Sequence, residues 1–310
     1  MLLNLPLSRT ELDRAAHIRS DQVELDRLWE RAKIIDLLGD RFGTDGNSLN
    51  YLGASEVSAL PSDEGSKIER YFLGLSKDGK PFFVAHRRVL GDHVEAPNGY
   101  ETLRTIGAKL NSLDIGAAVH ALALSQWHDA HQRCAKCGAP TTPTMGGAVR
   151  KCESCECEHY PRTDPAIIVL VKDSSDRILL GRQKIWPAKR FSTFAGFVEP
   201  GESFESTVIR EVKEECGGEV IEMRYLGSQP WPFPASLMIA YEAVISNPER
   251  VKEDGTEIEE IIWLTRDELR AKVESQELLL PPAISVARAM INSWYGPNSA
   301  QLFGRETWRN

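Results

Sequence analysis

This chain lacks the features of a membrane, secreted or general nucleic-acid-binding protein. It has no apolar run near the roughly 20 residues that a membrane-spanning helix needs. Its first residues lack the basic start and long apolar stretch of a secretion signal. The net charge is −8, whereas sequence-independent binding to nucleic acid needs a positive surface. We therefore expect a cytoplasmic protein that does not associate with membranes.

Cysteine is scarce, but four of the 6 cysteines are closely paired. Two residues separate the members of each pair, and fourteen residues separate the pairs, which are Cys134 with Cys137 and Cys152 with Cys155. Four thiolates can enclose Zn²⁺ in a closed tetrahedron, so the spacing predicts a structural zinc site. Two disulfides are the alternative, which a cytoplasmic location disfavours. The fourth ligand could instead be one of the nearby residues Cys157, His128, His131 and His159.

Residues 196–218, GFVEPGESFESTVIREVKEECGG, hold the densest group of carboxylates. Glycines and a proline favour a tight loop at the start, and Ser203 can cap a helix that ends at Gly217. An apolar stripe recurs every four residues in that helix and should face a core: Phe204, Val208, Val212 and Cys216.

Three glutamates of this helix, Glu211, Glu214 and Glu215, follow helical spacing at the edge of the apolar stripe. Like charges at this spacing repel each other, and more strongly where they are partly buried. A bound divalent cation would remove the repulsion. The alternative is an ordinary exposed acidic helix, but the pattern of the surrounding residues is more specific than that.

Glu202 and the run Arg210-Glu211-Val212-Lys213-Glu214-Glu215-Cys216-Gly217 follow the first glycine at the spacing of the Nudix box. The stretch therefore resembles the Nudix hydrolases at every defined position but the last, where Gly218 replaces an aliphatic residue. We expect Gly218 to loosen the end of the helix without touching a catalytic carboxylate.

A stiff aromatic segment, SQPWPFPAS at residues 228–236, follows the box. Prolines hold the rings with little conformational freedom, which suits stacking against a flat base. A hydrophobic plug or a dimer contact is the alternative. Together with the paired cysteines, the segment resembles the NADH pyrophosphatase branch of the Nudix family, which also includes enzymes that remove NAD caps from RNA.

This resemblance implies the activity and the assembly. Such enzymes hydrolyse NADH or NAD⁺ at the central pyrophosphate, releasing the nicotinamide mononucleotide and AMP, with Mg²⁺ or Mn²⁺ as the catalytic metal. Some act on NAD-capped RNA, and they are typically homodimers. A Nudix-fold sensor that binds a nucleotide without cleaving it is the alternative, but such a sensor would not need these repelling carboxylates.

The resemblance also implies the roles of individual residues. Glu202 and Arg210 would pair and fix the loop against the helix, and Glu214 would be an extra metal ligand or the proton acceptor. The implied Mg²⁺ or Mn²⁺ ligands are Ala195 through its carbonyl, Glu211, Glu214, Glu215 and Glu257. The implied substrate-binding residues are Tyr160, Phe197, Gln229, Pro230, Trp231, Pro232, Phe233, Pro234, Ala235, Ser236, Glu257 and Ala287.

The expected architecture is α/β. Alternating strands and helices around the box fit the Nudix α/β/α sandwich with a mixed sheet. A zinc ribbon and an N-terminal α/β domain would precede it. The expected domains are residues 1–126, the zinc ribbon at 127–162 and the Nudix domain at 163–310.

Overall fold

This computed structural model describes residues 3–60, 68–89 and 97–299. Its chain forms two compact units. The first unit comprises Arg9–Thr163 and Trp231–Ala235, and the second comprises Met1–Ser8, Asp164–Pro230 and Ser236–Asn310. The predicted three-domain division stays a prediction.

The first unit contains a six-stranded sheet in the order β4-β5-β1-β2-β6, with β3 also paired to β1. Its strands are β1 (Lys33–Leu38), β2 (Arg41–Gly43), β3 (Tyr51–Leu52), β4 (Glu69–Leu75), β5 (Pro81–Arg87) and β6 (Tyr100–Thr102). A hairpin turn at Asp78-Gly79 joins β4 to β5, and the turn needs glycine because Gly79 has a φ of 75°.

The helices of this unit are α1 (Gln22–Trp29), α2 (Ala54–Ser58), α3 (Leu103–Ile106) and α4 (Ser112–Ala130). Short 3₁₀ turns of this unit lie at Ala16–Ile18 and Met145–Gly147, and another, at Pro6–Ser8, belongs to the second unit. Helix α4 begins where Asn111 accepts hydrogen bonds from the N–H groups of Leu113 and Asp114.

The paired cysteines lie in and around a separate three-stranded sheet of the first unit. Its strands are β7 (Thr141–Thr144), β8 (Val149–Cys152) and β9 (Glu158–His159). Strand β8 pairs antiparallel with both neighbours. This small sheet has too few residues for a large apolar core, which is the usual reason for stabilisation by a metal.

The second unit is built on a mixed sheet in the order β13-β14-β10-β11-β15, with β12 paired to β10. Its strands are β10 (Asp164–Lys172), β11 (Ile178–Gln183), β12 (Phe194–Phe197), β13 (Val220–Trp231), β14 (Ser236–Ile245) and β15 (Ile258–Leu264). Its helices are α5 (Phe204–Cys216), α6 (Arg266–Glu274) and α7 (Val286–Tyr295).

Central strand β10 divides the core of this unit into two layers. Ile167 and Val169 face a cluster that contains residues of α5. Ile168 and Leu170, on the opposite face, pack in a cluster with residues of α6 and α7. Because successive strand residues point to opposite faces, this alternation places helices on both sides of the sheet, as the predicted α/β/α sandwich requires.

The N-terminal residues belong to this second unit. The N–H of Leu3 donates to the carbonyl of Leu226 at 2.7 Å. The side chain of Leu5 is fully buried in the same cluster as Met290 and Ile291 of α7. Sequence reasoning did not predict that the core of the second unit takes residues from the N-terminal segment.

Strand β13 runs into the proline-rich segment, through Gln229 to Trp231. It lies at the edge of the sheet. Proline is tolerated there because an edge strand leaves one side of its backbone unpaired.

Within the described residues, no helix has both the length and the apolar character needed to cross a bilayer.

Candidate active site and cysteine cluster

Helix α5 carries the carboxylates and is fixed at both ends. Ser203 caps its start by accepting from the N–H of Ser206 at 3.1 Å. At its end, Gly217 has a φ of 70°, and the N–H groups of Gly217 and Gly218 donate to the last turn. A Cβ at Gly218 would lie 2.8 Å from Val212, so the backbone packs closely here, and the expected loosening of the helix end stays a prediction.

The apolar stripe of α5 buries three of its four predicted members, Val208, Val212 and Cys216. Phe204 is 40% exposed, so the expectation was wrong for this residue. It is the first residue of the helix, and the buried stripe begins one turn later.

Glu215 is the most buried carboxylate of the group, with 4% of its surface exposed. Its Oε2 atom has no hydrogen-bond partner in the described part of the chain. Burial, and then the nearby charges of Glu257 and Glu211, raise the pKa of Glu215 to about 9, although the Ala195 N–H donates to it. A buried carboxylate with one unsatisfied oxygen fits a cation ligand better than a packing residue.

Glu211 lies directly against the backbone of β12. A Cβ built at Gly196 would lie 1.9 Å from the carboxyl carbon of Glu211, so only glycine fits there. Burial raises the pKa of Glu211, and the adjacent Arg210 opposes this shift. The absence of a side chain at Gly196 therefore allows the Glu211 carboxylate to lie against the backbone of β12.

Arg210 joins the loop to the helix. Its Nε and Nη2 donate to the two oxygens of Glu202 at 2.7 and 2.8 Å, which is the contact expected from the sequence. Its Nη1 donates to Glu211 at 2.7 Å and to Glu214 at 3.1 Å, and its Nη2 also reaches the carbonyl of Phe197. The hydrogen bonds from Arg210 hold the pKa of Glu202 down at about 2.

Glu257 is held beside these glutamates by residues that sequence reasoning missed. The side-chain amide of Gln183 donates to its carboxylate at 2.8 Å, and the N–H of Lys184 donates to its carbonyl at 3.1 Å. Asp254 accepts from the N–H of Glu257 and fixes the preceding turn. Gln183 carries no sequence signal, because its role depends on the pairing of β11 with β15.

The carboxylates suit a hard divalent cation such as Mg²⁺ or Mn²⁺. Glu257 and Glu211 are close enough to Glu215 for their charges to add to the effect of burial, which raises the pKa of Glu215. Among the described residues, however, only the cysteines have at least three ligand atoms within 4.8 Å of one another. The glutamates would have to draw together to share an ion, and Glu214, whose side chain is 61% exposed, has room to do so.

The four predicted zinc ligands converge. Their sulfur atoms lie within 4.8 Å of one another. The Cys134–Cys155 and Cys137–Cys152 sulfur distances are 3.6 and 3.5 Å, close to the roughly 3.8 Å edge of a tetrahedron with 2.3 Å Zn–S bonds. Disulfides would need about 2.05 Å. The geometry fits a Cys₄ metal site.

Among the described residues, the group of mutually close ligand atoms includes none of the alternative ligands. His128 bonds to Arg150 and to the carbonyl of Gly147, and His131 bonds to the carbonyl of Trp127. His159 lies 3.3 Å from the sulfur of Cys134, as an outer partner of that sulfur. The carbonyl of Cys157 accepts from the Cys152 N–H.

The proposed base-stacking residues are exposed in separate units. Tyr160, in the first unit, is 64% exposed, and Phe197, in the second unit, is 61% exposed. Ala287 is buried in α7. Exposed aromatic rings leave a face free for a ligand.

The aromatic segment is divided between the two units. Gln229 and Pro230 belong to the second, Trp231 to Ala235 to the first, and Ser236 to the second. The rings of Trp231 and Phe233 form an edge-to-face pair with centroids 4.9 Å apart. Pro232 is buried and Pro234 is exposed.

Gln229 differs from the expectation that it offers hydrogen bonds to a ligand. It is fully buried. Its Oε1 accepts from the N–H of Leu7 and its Nε2 donates to the carbonyl of Ile284, each at 2.9 Å. An amide engaged at both ends holds the N-terminal segment and the start of α7 together.

Comparisons with known proteins agree with this geometry. A family model described as the NUDIX domain matches residues 162–281. The chain is 38% identical over 299 residues to a protein named NAD-capped RNA hydrolase NudC from Mycobacterium bovis, covering 93% of this chain and 94% of the relative. It is also 38% identical over 277 residues to the mouse protein named NAD(P)H pyrophosphatase NUDT13, mitochondrial, covering 85% of this chain and 76% of the relative.

A solved structure described as a NUDIX hydrolase from Nitrosomonas europaea is similar, with a TM-score of 0.43 and 17% identity. It covers 57% of this chain and 96% of that chain.

Proposed function

This chain belongs to the Nudix hydrolase family, and we propose on that basis that it is an NAD(H) pyrophosphatase. It would hydrolyse NADH or NAD⁺ to the nicotinamide mononucleotide and AMP, and would also remove NAD caps from RNA. The buried Glu215 carboxylate beside Glu211 and Glu257 carries the proposal of hydrolysis. The names of the relatives over most of the chain support the choice of substrate.

Nudix hydrolases need divalent metal ions. We propose Mg²⁺ or Mn²⁺, held by Glu211, Glu215, Glu257, the carbonyl of Ala195 and, on the exposed side, Glu214. A bound divalent ion neutralises the pyrophosphate and lowers the pKa of a bound water. Glu215 keeps its proton at neutral pH when no cation is bound, because its pKa is about 9. Cation binding therefore has to release this proton.

Two further residues, Glu214 and Arg210, have proposed roles in the hydrolysis itself. The oxygen of water joins one phosphorus, the bond from that phosphorus to the bridging oxygen breaks, and the proton of water must leave. Exposed Glu214 is the proposed proton acceptor. Arg210 is bound to Glu202 and holds the loop against α5, so that Glu211 keeps its position.

We further propose that Tyr160 and Phe197 stack on a base and that Trp231, Phe233 and Ser236 line the dinucleotide site. Zn²⁺ would occupy the Cys₄ cluster as a structural ion. The zinc ribbon (residues 127–162) would then lie in the sequence between the N-terminal domain (1–126) and the Nudix domain (163–310). The homodimer and the cytoplasmic location stay predictions.

Product analysis tests the function. Wild type and Glu215→Gln would each receive NADH, NAD⁺ and NAD-capped RNA with Mg²⁺ or Mn²⁺. We expect the mononucleotide and AMP, or the decapped RNA 5′ end, from wild type only, and the ratio of kcat/KM values ranks the substrates. Binding without cleavage by wild type would instead identify a nucleotide sensor.

A further inference from the structure

Five residues of the aromatic segment, Trp231 to Ala235, are packed in the first unit. Within that unit, the guanidinium carbon of Arg104 lies 3.9 Å from the ring centroid of Phe233 and 5.3 Å from that of Trp231. One cation therefore covers a face of Phe233 and also approaches Trp231. No motif in the sequence marks Arg104.

The backbone around Arg104 is firmly placed. Its neighbours in α3, Leu103 and Ile106, are 0% and 1% exposed, so the short helix is anchored in the core of the unit. Arg104 is exposed. Partial burial of its guanidinium lowers its pKa, and the nearby charge of Asp40 opposes this shift. The anchored helix therefore fixes the backbone from which the guanidinium reaches the rings.

A second contact holds the same segment from α4. The side-chain amide of Gln126 donates to the carbonyl of Pro232 at 3.3 Å. Pro232 is the buried residue between the two rings. The segment is therefore fixed at its backbone by one residue and at its ring faces by another.

We propose that Arg104 is a positioning residue of the dinucleotide site: it stacks on Phe233 and Trp231 and holds the two rings in the orientation that receives the substrate. This inference rests on the proposed function. The face of Phe233 under the guanidinium is closed to a base, so the base must use another ring surface. The N-terminal part of the chain would thereby tune substrate affinity without supplying a reacting group.

A cation stacked on an aromatic ring at an exposed site contributes enough to change affinity about two- to fivefold. The proposal therefore predicts that Arg104→Met weakens NADH binding and raises KM by about that factor. We expect kcat to be unchanged, because the proposal gives Arg104 no part in the reaction at phosphorus. Arg104→Lys keeps a cation over the ring and should restore part of the affinity.

The matched control is Arg70→Met. Arg70 makes the same kind of contact in the same unit, with its guanidinium 5.0 Å from the ring centroid of Trp29. Its loss should leave both KM and kcat as in wild type. The thermal midpoints of both variants should equal that of wild type, since both arginine side chains are at the surface.

A double-mutant cycle separates action through Phe233 from an independent effect. If Arg104 acts through the ring, Arg104→Met adds nothing to Phe233→Leu. Affinity is measured twice for each protein, as KM in the presence of Mg²⁺ and as the dissociation constant for NADH without Mg²⁺, from the fluorescence of the reduced nicotinamide. The second measurement tests Arg104 even if wild type binds NADH without cleaving it.

The proposal is overturned if Arg104→Met binds NADH like wild type, if Arg70→Met weakens binding equally, or if the effects of Arg104→Met and Phe233→Leu add. A wild-type protein that binds NADH but does not hydrolyse it would refute the pyrophosphatase and leave the Arg104 result standing. A wild type that neither binds nor cleaves NADH would refute both.

Discussion

Replacing Glu215 with glutamine should make the protein more stable at alkaline pH while abolishing its activity. Glutamine has nearly the same shape, and its side-chain oxygen can still accept from the Ala195 N–H. It has no charge to bury. In buffer without Mg²⁺ or Mn²⁺, ionisation of the buried Glu215 lowers the free energy of unfolding of wild type. The variant has no such loss.

The sign and the size follow from the pKa. In the unfolded chain a glutamate titrates near 4.3, whereas burial raises the pKa of Glu215 to about 9 in the folded protein. Between these values the folded state holds a proton that the unfolded state has lost. This contribution is complete below the unfolded pKa and is lost as the pH rises through the folded pKa. At about 1.4 kcal/mol per pH unit, the loss from pH 5 to pH 8 amounts to about 4 kcal/mol.

The assay is urea unfolding at pH 5, 6, 7 and 8, in buffer cleared of Mg²⁺ and Mn²⁺ by a chelating resin. The free energy of unfolding of Glu215→Gln minus that of wild type should rise steadily with pH. Glu205→Gln is the control, because Glu205 is exposed on the same helix and its pKa is lowered, outside this range. If the difference in the free energy of unfolding between Glu215→Gln and wild type stays constant from pH 5 to pH 8, the reasoning is refuted.

Three further predictions follow from the two sites. Gln183→Leu should weaken Mn²⁺ binding about 10- to 100-fold in calorimetry, because Glu257 loses the amide that orients it. The control Gln22→Leu, which removes an exposed amide, should bind Mn²⁺ like wild type. Equal Mn²⁺ affinities of Gln183→Leu and wild type would contradict the role of Gln183. Gly196→Ala should abolish turnover because its Cβ would collide with Glu211, whereas Gly53→Ala, whose nearest neighbour is 3.5 Å away, should be active; a normal kcat in Gly196→Ala would exclude the close approach. Removal of Zn²⁺ by a thiol-selective chelator should lower the thermal midpoint, and an unchanged midpoint would mean that the cysteines hold no structural ion.

Local patterns in the sequence predicted the features that depend on residues close together in the chain. Ser203 and Gly217 mark the ends of α5 because capping depends on neighbouring residues. The burial of Glu215 follows from helical spacing, since it lies on the same side as Val208 and Val212. The convergence of the paired cysteines likewise follows from their spacing.

Contacts between distant parts of the chain were not predictable in this way. Gln183 reaches Glu257 across paired strands, and Arg104 reaches Phe233 from more than a hundred residues away along the chain. Gln229 was expected to face a ligand because it adjoins aromatic residues, yet the N-terminal segment and Ile284 occupy both ends of its amide. A single sequence contains no signal for such pairings.

The burial of Leu5 among residues of α7 has a consequence for biosynthesis. Leu5 precedes its partner Met290 by 290 − 5 = 285 residues along the chain, and Ile291 follows directly after Met290. At about 5–20 residues per second, Leu5 would wait roughly 15–60 s before those partners exist. Until then the segment around Leu5 remains in the nascent chain without its final apolar contacts, which is the kind of segment that chaperones bind.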